Sequence, residues 1–137
     1  VMPSEKPAKF YGIDMQQWRE QVINTIKQHT DRPIVVREKA YRPTRIVKTI
    51  YEELDNTFCV VTLQSIAATE AVLYGVPAIG LAPNAASPVT QDSITNIETP
   101  FYPDSDLVYK WACHLAYGQY HIQELYDGTA RRILNEN

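Results

Sequence analysis

Residues 59–83 read CVVTLQSIAATEAVLYGVPAIGLAP. The run Phe58-Cys59-Val60-Val61-Thr62 is apolar almost throughout, as expected for a strand buried on both faces of a parallel sheet. Ser65 then opens a short alanine-rich helix over 66–74. Gly75 stands at the C′ position, where a left-handed residue ends a helix. Pro77-Ala78-Ile79-Gly80-Leu81 makes the next apolar strand. Strand, short helix and strand joined by short links predict a βαβ unit with parallel strands.

The flanking sequence extends this pattern. Asp14 reads as the N-cap of a helix over 14–29, with Met15, Trp18, Val22 and Ile26 on one apolar face. Asp31-Arg32-Pro33 breaks that helix. Ile34-Val35-Val36, a β-branched run, reads as a further buried strand. A second helix is predicted over 44–54, with Ile46, Val47, Ile50 and Leu54 aligned. Val1-Met2 reads as the stub of an earlier strand. Residues 83–103 form a long polar loop, a length associated with function. Helices over 106–117, 122–126 and 130–134 follow. The expected fold is therefore α/β: a three-layer, mainly parallel Rossmann-like sheet with helices on both faces and a helical C-terminal tail. Residues 1–104 form the domain, and 105–137 pack on it as the tail.

Composition bounds the function. The chain has 137 residues, 45% hydrophobic and 21% charged, the profile of one ordinary globular domain. A formal net charge of −3 gives no field that would draw it to nucleic acid or anionic lipid. No apolar run reaches the roughly 20 residues of a membrane span. No signal peptide is recognisable, so a cytoplasmic protein is expected. Cys59 and Cys113 lie in apolar segments and read as a reduced, buried pair. No metal is expected, because His29, His114 and His121 share no ligand spacing with the cysteines. No cofactor is expected either. A start at Val1-Met2-Pro3, without an initiator methionine, is expected of a fragment or a processed chain.

The chemistry concentrates at strand ends. Free amides and the helix dipole make the start of the Ser65 helix able to hold an anion. Ser65 serves there either as a plain N-cap or as a hydroxyl donor to phosphate. Ala68, with Ala67 and Ala71, keeps that helix slim enough for close packing. Glu70 is either a solvated helix residue or an acceptor for ribose hydroxyls. Arg37 and Lys39 follow the run at 34–36, at the edge where open α/β sheets bind ligands. They read as phosphate ligands or as a solvated basic loop. Ser4 follows the first strand stub and shares that edge. The segment 84–87 is a polar surface loop or a sugar contact. His114 reads as a core histidine, and Trp18 and Trp111 as core aromatics. No catalytic residue is assigned, because no triad, carboxylate pair or zinc motif stands on spacing.

The pattern of strand, Thr62-x-x-Ser65, small helix with Glu70-Ala71, and Gly75-Val76-Pro77 before another strand resembles the C-terminal, donor-binding domain of GT-B glycosyltransferases. It is similar to capsule polysaccharide transferases and UDP-N-acetylglucosamine 2-epimerase relatives. The resemblance implies that Thr62, Ser65 and Ala68 line a diphosphate site, that Glu70 contacts the ribose, and that Ser4 faces the donor phosphates. The core of the match spans about 25 residues. The Gly-rich loop of many GT-B members and a His-x-x-Gly signature are both absent. The segments at 97–104, 115–120 and 124–130 resemble uncharacterised bacteriophage proteins carrying the same transferase-like half, which implies the host cytoplasm. The expectation is a domain that binds a nucleoside-diphosphate sugar and lacks its acceptor domain, becoming a glycosyltransferase when one is supplied. The alternative is a non-catalytic nucleotide-binding or protein-interaction module, dimerising through its tyrosine-rich tail.

Overall fold

The structure is a computed structural model and describes residues 1–38 and 49–136. Lys39 and the 44–48 part of the predicted second helix lie outside the described residues. The fold divides into two compact units, Val1–Asp104 and Ser105–Asn137.

The first unit is built on the predicted βαβ unit. Strand β1 (Val60–Thr62) pairs in parallel with β2 (Ala78–Gly80), with Val61 opposite Ile79. Between them runs helix α4 (Ala67–Tyr74). Three helices precede these elements: α1 (Glu5–Tyr11), α2 (Met15–His29) and α3 (Ile50–Leu54). The sequence signals for several boundaries operate as read. The Asp14 carboxylate accepts from the Gln17 amide at 2.8 Å, capping α2. Gly75 takes φ of 89°, and its amide closes α4 on the carbonyls of Ala71 and Val72.

Alternation along the strands separates two layers of packing. Cys59, Val61, Ile79 and Leu81 gather with Ile26 of α2 and with Ile94 and Ile97 from the long loop. Ile79 is fully buried there. Helix α4 packs on both strands and on α3. Its Ala67, Ala68 and Ala71 are buried, and their small size permits that close approach. The loop at 83–103 is more ordered than its composition suggests. Two 3-10 turns, Ser87–Val89 and Ile94–Asn96, bury Val89 and Ile94, and Gln91 bridges in parallel to Ile79.

Among the described residues the expected three-layer sheet is not formed. The sheet has two strands of three residues each. Residues 34–36 belong to no strand, and Val35 is 81% exposed. Their place is held from the side. The Arg32 guanidinium lies 3.7 Å from the Phe58 ring centroid, and its Nε donates to Glu98 at 3.2 Å. The nearest main chain is Val1-Met2. The Val1 nitrogen donates to the Val61 carbonyl at 2.6 Å, and the Met2 amide donates to the Arg37 carbonyl at 2.9 Å. Successive amides thus point to opposite sides, as in the middle strand of a sheet.

Helix α1 was not foreseen: it begins at Glu5, and Pro7 is tolerated there because first-turn amides have no helical acceptor. Two further expectations are corrected. His114 is exposed, not a core residue. Cys59 and Cys113 are free thiols, and both are only partly buried.

In the second unit, α5 (Ser105–Tyr117) is followed by α6 (Ile122–Tyr126) and α7 (Thr129–Glu136), and α6 packs on α7. Trp111 is buried, whereas Tyr109, Tyr117 and Tyr126 are exposed. Among the described residues no helix is long and apolar enough to cross a membrane.

Ile79→Ala is expected to cost about 3 kcal/mol in urea unfolding, because the site is sealed by α2 and the loop and cannot collapse. Leu73→Ala, at an exposed position of α4, should change stability by under about 0.5 kcal/mol.

Candidate functional site at the β1–α4 turn

The turn between β1 and α4 is shaped by its own polar side chains. The Thr62 hydroxyl accepts from the Ser65 amide at 3.3 Å. The Ser65 hydroxyl accepts from the Ala67 amide at 3.3 Å, and the Ser65 carbonyl accepts from Ala68 at 3.1 Å. Ser65 therefore works as a cap one residue ahead of the first helical turn. Thr62 and Ala68 are wholly buried and support this turn from beneath. Ser65 and Glu70 are partly exposed, and Glu70 stands in the first turn of α4.

Val1 and Met2 link β1 to Arg37: the Val1 nitrogen bonds the Val61 carbonyl and the Met2 amide bonds the Arg37 carbonyl. Ser4, partly exposed, follows Met2 and Pro3 and holds the N-cap position of α1, though its side chain makes no capping bond. The Arg37 guanidinium is engaged by Glu53 of α3 at 2.6 Å. An incoming phosphate would compete with that carboxylate.

Asn84 lies just beyond β2. Its side-chain amide donates to the Ala82 carbonyl at 2.9 Å, and its oxygen accepts from the Ala86 amide at 2.8 Å. Asn84 thus folds the loop back over β2. A Cβ on Gly80 would collide with the Asn84 amide group, so Gly80 is needed for this approach. The segment at 84–87 is a built turn.

A separate cavity of about 340 Å3 is lined by Val1, Met2, residues 33–37 and 56–61, α2 and α3. Arg37 lines it; Ser4, Thr62, Ser65, Ala68 and Glu70 do not. Cys59 lines it as well, and burial pushes its thiol up to about 12. Sequence reading missed this cavity, because a run such as Ile34-Val35-Val36 signals a paired strand and not a cavity wall. Among the described residues no group of three or more His, Cys, Asp or Glu is arranged to hold a metal ion.

No family model, no curated protein and no solved structure matches the chain.

The Cys59 thiol should react with iodoacetamide at pH 9 roughly a hundredfold more slowly in the folded chain than in urea, because little thiolate forms. A folded value of about 12 against an ordinary 9.0 means that stability is unaffected by this group below pH 9 and falls as pH rises toward 12. The fall should be absent in Cys59→Ala.

Proposed function

We propose that this protein binds a nucleoside-diphosphate sugar at the β1–α4 turn, as the donor half of a GT-B-type glycosyltransferase. The observation that supports this reading is the turn itself: a parallel strand ends in Thr62, whose hydroxyl accepts from the Ser65 amide, and the Ser65 hydroxyl accepts from Ala67 at the start of α4. Parallel βαβ units offer ligands this edge, with helix amides and dipole favouring phosphate. In this reading Ser65 exchanges its bond to Ala67 for one to a diphosphate oxygen. Arg37 turns from Glu53 toward the second phosphate, and Lys39 adds charge. Glu70 accepts from the ribose. Thr62 and Ala68 act beneath the site by fixing the turn, and Ser4 lies at its rim. The charges on Arg37 and the dipole would also stabilise a departing diphosphate, while the acceptor and its base come from another domain.

A second reading, a protein-interaction module, is favoured by one observation. Tyr109, Tyr117 and Tyr126 are 71%, 84% and 83% exposed in the second unit. Tyrosine clusters of this kind are enriched at interfaces.

Calorimetry with UDP-N-acetylglucosamine, UDP-glucose and GDP-mannose should give measurable heat with at least one donor. Ser65→Ala should weaken that binding about tenfold, for loss of one charge-assisted hydrogen bond of roughly 1.5 kcal/mol. Silence across a broad nucleotide panel would contradict the reading. Light scattering discriminates the alternative: a dimer that Tyr117→Ser and Tyr126→Ser together convert to monomer favours the interaction module, and a monomer counts against it.

A further inference from the structure

Of the described residues assigned to the donor site, only Arg37 lines the 340 Å3 cavity. The cavity has the build of a small-molecule pocket by itself. Its volume falls in the range of such pockets, and much of its wall is apolar. Val22 and Ile26 come from α2, and Ile50 and Leu54 from α3. Trp18 and Phe58 add aromatic surface. Burial pushes the Cys59 thiol in the same wall up to about 12, as a poorly hydrated surrounding does.

The charged groups on the wall are unequal in sign. Among the described residues, the guanidiniums of Arg19, Arg32 and Arg37 line the cavity, against the single carboxylate of Glu53. Arg37 and Glu53 pair with each other at 2.6 Å. Arg32 is held by Glu98 and Arg19 by Glu38, and neither of those carboxylates belongs to the wall. The Arg19 side chain lines the cavity and is also 38% exposed, so it stands at an opening to solvent. Its contact with Glu38 is long, at 3.5 Å, and the Glu38 side chain is 70% exposed. A pair of that kind contributes little, so Arg19 exchanges its partner at small cost. A guanidinium can donate two parallel N–H bonds to one carboxylate.

The geometry points to a second ligand site here, for a medium-chain aliphatic monocarboxylate, its chain in the cavity and its carboxylate on Arg19. At about 30 Å3 per water-sized group, the cavity holds roughly eleven such groups, enough for a chain of about eight to ten carbons. The wall decides the sign of the head group. An ammonium would meet three guanidiniums, and an alcohol would gain no charge-assisted bond. The site does not rest on nucleotide binding, because Thr62, Ser65 and Glu70 do not line it.

Calorimetry of the full chain with sodium octanoate tests the proposal. Octanoate is expected to bind with a Kd below about 1 mM, and octylammonium and octanol at least tenfold more weakly. Arg19→Gln should weaken octanoate roughly tenfold and leave octanol unchanged, which separates head-group recognition from a change of fold. Ile23→Phe, filling the cavity from a half-buried position on α2, should abolish binding, with urea unfolding showing that both variants fold. Ser65→Ala should leave octanoate binding as it is, so failure at this site and failure at the donor site are told apart. Absence of heat with octanoate overturns the proposal. So does equal affinity for octanol or octylammonium, undiminished binding in Ile23→Phe, or a loss in Ser65→Ala.

Discussion

Each edge of β1 must find main-chain partners, and the arrangement of the first unit follows from which edges do. A pair of three-residue strands is marginal by itself. Here β2 satisfies one edge, and the Val1 nitrogen satisfies a single carbonyl on the other. Helix α4 then closes one layer with small residues, while α2 and the loop at 94–97 close the other around Ile79. Next to that edge a cavity opens, walled by residues 33–37, α2 and α3.

At the candidate site the polar groups are occupied by the protein itself: Thr62 by Ser65 and Asn84 by its own loop, while the Arg37 guanidinium is engaged by Glu53. Ligand binding would therefore be an exchange of partners, with Glu53 as the chief competitor. If the proposed site binds phosphate through Arg37, stability and affinity are opposed there, since the Arg37–Glu53 ion pair would have to open.

Much of this was legible in the sequence, and the legible parts share a cause. Asp14, Ser65 and Gly75 act within a few residues of themselves, so their chemistry is local and readable. The alanines of α4 and the apolar runs of β1 and β2 likewise announced close packing. Residues 34–36 defeated the reading because strand formation depends on a neighbour, and a β-branched run says nothing of whether that neighbour is present. Pro7 hid α1, since proline ordinarily ends helices and only its place in the first turn makes it harmless. Apolar spacing on α5 suggested a buried His114, yet the helix turns that residue to solvent. The pairings of Arg37 with Glu53 and of Arg32 with Glu98 and Phe58 link distant segments, and no local pattern foretells them.

The central claim is that phosphate meets the chain at the start of α4 with Arg37 close by. Titration of 15N-labelled protein with a UDP-sugar tests it most directly. The account requires the largest amide shifts at Ser65, Ile66 and Ala67, with Arg37 moving in step and the second unit still. Shifts confined to the second unit, or to the cavity walls at 56–59 with Ser65 unmoved, would contradict it.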